Sequence, residues 1–307
     1  MQSLWMLFAS FMFAIMGVCV KLASGLYSTS EIVMYRGLVG ISVMFCVIRL
    51  QGGSFRTRMP RAHLWRGTVG VIALWLWFYA IGVLPLATAV TLNYMAPIWI
   101  ALILFCAGWW HARNHVEWPL LAAIAMSFVG VVLLLQPTFQ SRQFGAAIIA
   151  LISGMLTALA YLQVRKLGLM GEPEYRVVFY FSVVNVLAGV LGNIASAGRG
   201  TVLWHAHNSG AGIALLLGIG VTATMAQIAM TRAYRLGNTL VVANLQYSGI
   251  VFSSAWGVLV FGDVFDWHSW LGIVVIIASG IAATFYNTRN TERGAAIART
   301  DPIASEI

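Results

Sequence analysis

Charge is what this chain has least of. Only 9% of its 307 residues are charged, and Asp and Glu together number 9. Soluble domains carry about 25% charged residues, so a water-filled surround is excluded for a sequence that is 60% hydrophobic. Cysteine is also scarce. Cys19, Cys46 and Cys106 all fall in apolar runs, spaced as neither a disulfide framework nor a zinc site. They read as small packing residues, and no metal site or cofactor is expected. The apolar runs hold no Ser/His or Asp/His constellation and no acidic pair at one depth. No catalytic residue is assigned, and an intramembrane enzyme is the remote alternative. Glu31 is the one carboxylate close to the interior of a run, and it lies near the boundary. Proton-coupled carriers usually rely on a titratable group deep in the bilayer. Its lack here points to facilitated or substrate-driven movement.

What the chain has instead is length in its apolar runs. A crossing takes roughly 20 apolar residues to span about 30 Å of hydrocarbon. Ten such runs are read, at 4–24, 30–50, 66–84, 87–109, 118–135, 144–164, 175–197, 211–231, 239–261 and 268–286. The expected fold is an all-α membrane protein of ten transmembrane helices. Positive charge alternates between the gaps, as cytoplasmic loops retain Lys and Arg. Arg49, Arg56, Arg58, Arg61 and Arg66 precede span three; Arg113 follows span four; Arg165, Lys166 and Arg176 follow span six. Arg232 and Arg235 follow span eight, and Arg289, Arg293 and Arg299 occupy the tail. The opposite gaps hold only Arg142 and Arg199, so both termini are expected in the cytoplasm. The net charge of +9 has this cause and gives no indication of nucleic-acid binding. Met1-Gln2-Ser3 lacks a basic leader, so the first run reads as a retained span and not as a signal peptide. Residues 287–307 read as a disordered cytoplasmic tail.

The two halves of the chain match each other in order. A shift of 153 lays Ala80, Leu92 and Tyr94 on Ala233, Leu245 and Tyr247, and a shift of 149 lays Glu117-Trp118 on Asp266-Trp267. With five spans per half, the second half must enter from the opposite face. The reading is two inverted five-helix repeats, 1–143 and 144–286, an arrangement common in secondary transporters, whose substrate site lies near mid-depth. Oligomeric channels also use inverted repeats.

Three stretches carry a resemblance that covers residues 4–286. They are Phe11 to Lys21 with Arg36 following, Leu92-Asn93-Tyr94-Met95-Ala96-Pro97, and Val258-Leu259-Val260-Phe261-Gly262-Asp263. In these the sequence resembles the EamA-type, ten-span members of the drug/metabolite transporter superfamily. Asp263 departs from that family's usual Gly-Glu, and Ile250 stands where Pro97 would repeat. The resemblance implies a small-metabolite carrier, most often an exporter, in a bacterial inner membrane, with a central cavity shared by both halves.

Arg36 is the sharpest candidate for substrate binding. It lies about 9 Å along span two from its outer end, where a guanidinium is costly unless it faces water or a partner. It either binds a substrate anion or forms a structural pair with helix-end carbonyls or Glu31. Lys21 either snorkels to the interface or, as the resemblance suggests, lines the outer cavity near Arg36. Pro97 lacks a donor for the carbonyl of Asn93 and should kink span four. It reads as a hinge, with a polar notch at Asn93 and Tyr94. Gln246 and Tyr247 align with that pair in span nine, giving a polar pair from each half. Tyr161, Gln163 and Gln227 are further polar residues at depth, serving either as site residues or as glue between helices. Trp75, Trp77, Phe78 and Tyr79 either line an aromatic pocket or face lipid. His205 and His207 read as a solvated loop. The expectation is a secondary transporter of a small polar or zwitterionic metabolite, such as an amino acid or derivative, acting by alternating access. Its partners are a small-molecule substrate and membrane lipid, with no nucleic acid, and it is either a monomer or a homodimer. A metabolite-permeable channel or an uptake carrier is the alternative.

Overall fold

The computed structural model describes residues 2–84, 86–110, 118–136, 144–197, 204–205, 210–262 and 264–300, with backbone alone at 78, 81, 82, 86–89, 107–110, 197 and 290–300. The described residues form helices and short connections, with no strand among them. The helices are α1 (Trp5–Ala23), α2 (Thr29–Leu50), α3 (Pro60–Val83), α4 (Leu86–Asn93), α5 (Ala96–Trp110), α6 (Trp118–Leu135), α7 (Phe144–Leu169), α8 (Glu174–Ala197), α9 (Gly210–Leu236), α10 (Thr239–Leu245), α11 (Ser248–Trp256) and α12 (Trp267–Thr300). Among the described residues, seven helices are long and apolar enough to cross a membrane by length and composition. The other runs expected to cross fall on α3 and on two interrupted helices, α4–α5 and α10–α11.

Local chemistry sets the boundaries. Ser28 and Glu31 form a reciprocal capping box that starts α2. Pro60 opens α3 in its first turn, where its missing N–H costs nothing. Asn238 caps α10 through its side-chain oxygen. A π-helical turn, Gly257–Phe261, follows α11 and ends at Gly262 in the left-handed region, φ +70°.

Both interrupted helices break at aligned places. The first loses regular geometry at Tyr94–Met95 and resumes with Pro97 in the first turn of α5. The carbonyls of Leu92 and Asn93 face α7 at Gly154, where a Cβ would come within 3.0 Å of each. A bare backbone at Gly154 thus lets α7 pack directly against the break. The second breaks at Gln246–Tyr247 without a proline. There the N–H groups of Tyr247, Gly249 and Ile250 donate to carbonyls three residues back, a 3₁₀ tightening that turns the chain.

The most extensive helix pairs are α2 with α8, α1 with α9, α6 with α12, and α3 with α7. Small residues set their spacing. At Gly130 of α6 a Cβ would lie 2.8 Å from the carbonyl oxygen of Gly272 on α12. One buried polar network crosses this region. Ser127 donates to Asn244 Oδ1 at 2.7 Å, bonds Ser279, and the Asn244 amide donates to the Ser279 carbonyl at 3.3 Å.

Two expectations change. The third run was to begin at 66, but α3 begins at Pro60, which moves Arg66 from the loop into a helix. The tail was to be disordered from 287, yet α12 remains helical to Thr300. That stretch includes Ala295, Ala296 and Ala298, and an already nucleated helix extends cheaply through good helix formers. Residues 301–307 lie outside the described residues, as do Pro85, Arg113, Glu117, Arg142, Arg199, His207 and Asp263.

Candidate functional site

A crevice opens between α2, α8 and α9. It is lined by Arg36, Phe181, Ser182, Asn185, Thr224 and Gln227, among others. It exists because α2 and α8 meet through glycine. A Cβ on Gly37 would fall 2.8 Å from the carbonyl oxygen of Ser182. Arg36, one residue earlier, is therefore held at the seam between these helices. Its guanidinium carbon lies 5.8 Å from the Phe181 ring centroid.

Arg66 comes to the same ring from α3. Its guanidinium carbon lies 4.0 Å from the Phe181 centroid, a cation–π stack. The side chain is 3% exposed, and its Nε and Nη1 have no hydrogen-bond partner among the described residues. Sequence reasoning missed this residue by counting it as a cytoplasmic loop charge. The overlooked signal was Pro60, whose preference for the first helical turn places Arg66 nearly two turns inside α3.

Tyr161 of α7 joins the two arginines to the interrupted helices. It lies within electrostatic reach of both guanidiniums and shares a hydrogen bond with the Gln246 side chain. Its ring stacks on Tyr234 of α9 at 5.5 Å, and the Tyr234 hydroxyl reaches Gln246 Oε1 at 3.5 Å. Tyr94 also interacts with Tyr161, with its hydroxyl near Gly249 and Ser10. Arg36, Tyr94, Tyr161, Gln227 and Gln246 are thus brought to one central region, together with Arg66, Phe181 and Tyr234.

The remaining candidates are placed elsewhere. Asn93 donates its amide to Ser153 Oγ at 2.9 Å, and Ser153 donates to the Ala73 carbonyl, which ties α4 to α7 and α3. Tyr247 is wholly buried in the core, its hydroxyl without a partner among the described residues. Gln163 follows Tyr161 by two positions, about 200° around the helix, and so faces away from it. Lys21, in the last turn of α1, holds its ammonium 3.8 Å from the Phe261 ring centroid. Trp75 and Tyr79 are exposed on the outer surface.

Each end of the bundle carries an ionic latch. Glu31 is fully buried. It accepts from the His205 N–H at 2.6 Å and lies 2.6 Å from His205 Nδ1. That contact joins segments 174 residues apart, which a loop reading of His205 could not anticipate. At the other end, Glu172 accepts from Thr57 Oγ1 at 2.6 Å and from Arg176 Nη1 at 2.9 Å, with His63 Nε2 3.4 Å away. Burial pushes the Glu172 carboxyl up. The bonds from Thr57 and Arg176 and the charges of Arg176 and His63 outweigh it and hold the carboxyl below its ordinary value.

The sequence pattern of the EamA-like transporter family matches residues 1–136. The pseudopaline exporter CntI of Pseudomonas aeruginosa is 31% identical over 279 residues, which span 89% of this chain and 92% of that protein. The chain belongs to the EamA-like transporter family. It is accordingly a multi-pass membrane protein and a metabolite transporter, in a family of transporters and not of enzymes. A riboflavin transporter of Vibrio cholerae is 28% identical over 308 residues, covering 95% of each chain. An S-adenosylmethionine uptake transporter of Rickettsia felis is 19% identical over 248 residues, covering 80% of each. Among solved structures, one crystal structure superposes with a TM-score of 0.78 at 16% identity, covering 93% of this chain and 98% of the other. That likeness concerns the fold alone. For this EamA-like transporter, the solute and the direction must come from the site.

Proposed function

We propose that the protein is a secondary transporter that exports a small polar metabolite across a bacterial inner membrane by alternating access. The observation that carries this reading is the crevice at the α2–α8 seam, lined by Arg36 and Phe181, with Arg66 stacked on the same Phe181 ring and no carboxylate among the described residues paired with either arginine. Its two facings arise from two inverted repeats, 1–143 and 144–286, with both termini cytoplasmic. The helix pairing supports this. Exchanging the first five spans with the second five turns the α1–α9 pair into the α7–α3 pair and maps α2–α8 and α6–α12 onto themselves. The aligned breaks at Tyr94–Met95 and Gln246–Tyr247 support it as well. A crevice on the exchange axis is where two inverted halves rocking against each other expose one site to each side in turn.

Arg36 holds an anionic group of the solute. Gln227 and Gln246 offer amides, and Tyr94 and Tyr161 form the polar side of the wall. Export agrees with the name of the Pseudomonas relative, an exporter, while the Rickettsia relative is named for uptake. The test is counterflow in proteoliposomes across amino acids, nucleosides and organic acids. Saturable, trans-stimulated flux of at least one class supports a carrier. Flux that rises linearly with concentration would instead make it a channel. Full activity of Arg36→Ala on every transported solute removes Arg36 from the site.

A further inference from the structure

We infer that the solute carries two carboxylates and one protonated amine, with one carboxylate on Arg36 and the other on Arg66. This deepens the carrier reading and rests on it.

The charge inventory comes first. Four acidic side chains are described, and each is engaged away from the arginines. Glu31 is held by Ser28 and His205, Glu172 by Thr57, Arg176 and His63, Glu174 by Arg235, and Asp266 by Gln136, His268 and Ser269. No described carboxylate is left for Arg36 or Arg66. Two like charges held together in a low-dielectric interior, one with unsatisfied Nε and Nη1 donors, call for anions from outside the chain.

Geometry sets the size of the solute. Both guanidinium carbons are measured from the same Phe181 centroid, 5.8 Å and 4.0 Å away, so they are at most about 10 Å apart. Each guanidinium–carboxylate contact takes up a few ångströms of that distance. Two carboxylates that engage both guanidiniums must fit within that limit, and a linking chain of two or three carbons does. Tyr161 lies within electrostatic reach of both guanidiniums.

The amine follows from a third group. Asn185 lines the crevice and is 2% exposed. Its amide nitrogen donates to the Phe181 carbonyl at 2.8 Å, which leaves Oδ1 buried with no partner among the described residues. A lone acceptor in a crevice otherwise governed by cations selects a donor on the solute, and an ammonium beside two carboxylates supplies it. The chemical class is an amino dicarboxylic acid or its N-substituted derivative.

The test uses the full-length protein. L-glutamate, L-aspartate, L-glutamine and succinate are compared as counterflow substrates and as thermal protectants. The expected result is saturable counterflow and a rise in Tm with L-glutamate or L-aspartate. L-glutamine, which lacks the second carboxylate, and succinate, which lacks the amine, should each be weaker by about 10-fold or more. Arg66→Lys keeps the charge but loses the forked donor geometry. It should raise the half-saturating concentration for L-glutamate by about 10- to 100-fold and leave L-glutamine unchanged. Asn185→Leu should remove the preference for L-glutamate over succinate. If either variant fails to fold, protection of the unaltered protein decides: equal protection by L-glutamate and L-glutamine overturns the inference. Saturable counterflow of some other solute without any amino dicarboxylate also overturns it and leaves the carrier reading in place. No saturable counterflow of any solute overturns both.

Discussion

Replacing Gly37 with alanine should loosen the α2–α8 seam, while the same change at Gly17 should not. A Cβ on Gly37 would lie 2.7 Å from Val186 Cγ2, 2.8 Å from the Ser182 carbonyl oxygen and 2.9 Å from the Val186 nitrogen. Two of those neighbours are backbone atoms and cannot rotate away. Restoring ordinary contact, about 3.5–4.0 Å between heavy atoms, requires the helices to separate by roughly 0.7 Å there. Overpacking of this kind costs about 1–3 kcal/mol. Gly17 meets nothing within 4 Å and is exposed on α1, so alanine there gains helix propensity of up to about 1 kcal/mol. Apparent Tm is read by fluorescence-detected size-exclusion chromatography of detergent-purified protein. At about 2–4 °C per kcal/mol for chains somewhat shorter than this one, Gly37→Ala should fall by roughly 2–12 °C. Gly17→Ala should hold or rise. Counterflow by Gly37→Ala should also fall, since Arg36 and Ser182 move with the seam. A Gly37→Ala protein as stable as the unaltered chain, or a Gly17→Ala protein equally damaged, would refute the claim that bare backbone contact builds this crevice.

Other perturbations follow from the same structure. Glu172 has its carboxyl held below the ordinary value of 4.5, so its stabilisation is complete above that value and is lost as pH falls through it and below. Glu172→Gln should be less stable than the unaltered protein at neutral pH, and the gap should close below about pH 4.5, measured as Tm against pH. Asn244→Leu leaves Ser127 without its acceptor in a buried network and should cost about 1–2 kcal/mol. Adding Ser127→Ala should recover part of that loss in a double-mutant cycle. Tyr161→Phe keeps the ring stacked on Tyr234 but removes the hydroxyl. Transport should drop with Tm unchanged, and equal transport would take that hydroxyl out of the site.

Membrane helices were legible because lipid imposes a length and forbids charge over that length. Helices α1, α2, α6 and α8 match their expected runs to within a residue. The error at α3 came from the same rule. Arg66 was assigned to water because arginine in hydrocarbon is expensive, yet Phe181 offers it an aromatic face. The break in the first half was foreseen through Pro97; the second was not, since it arises without proline, from backbone tightening that no residue type announces. Arg36, Tyr161 and Gln246 were singled out from polarity at depth alone, and the structure brings them to one region. Polarity did not separate them from Asn93, whose amide is tied to Ser153, because glue and ligand groups use the same side chains. The Glu31–His205 latch and the Tyr161–Tyr234 stack bridge distant segments. Such pairings are fixed only when the helices assemble.

The proline-containing and proline-free bends differ as mechanical parts. At α4–α5, covalent chemistry has deleted a donor, so that elbow keeps its angle whatever its neighbours do. At α10–α11 every amide from Tyr247 to Ile250 except that of Ser248 has a carbonyl three residues back, and a small torsional change would pass those bonds on to the next carbonyl along. One joint is welded and the other only clasped. Any straightening during a transport cycle should therefore begin in the stretch around Gln246, carrying Tyr247 with it.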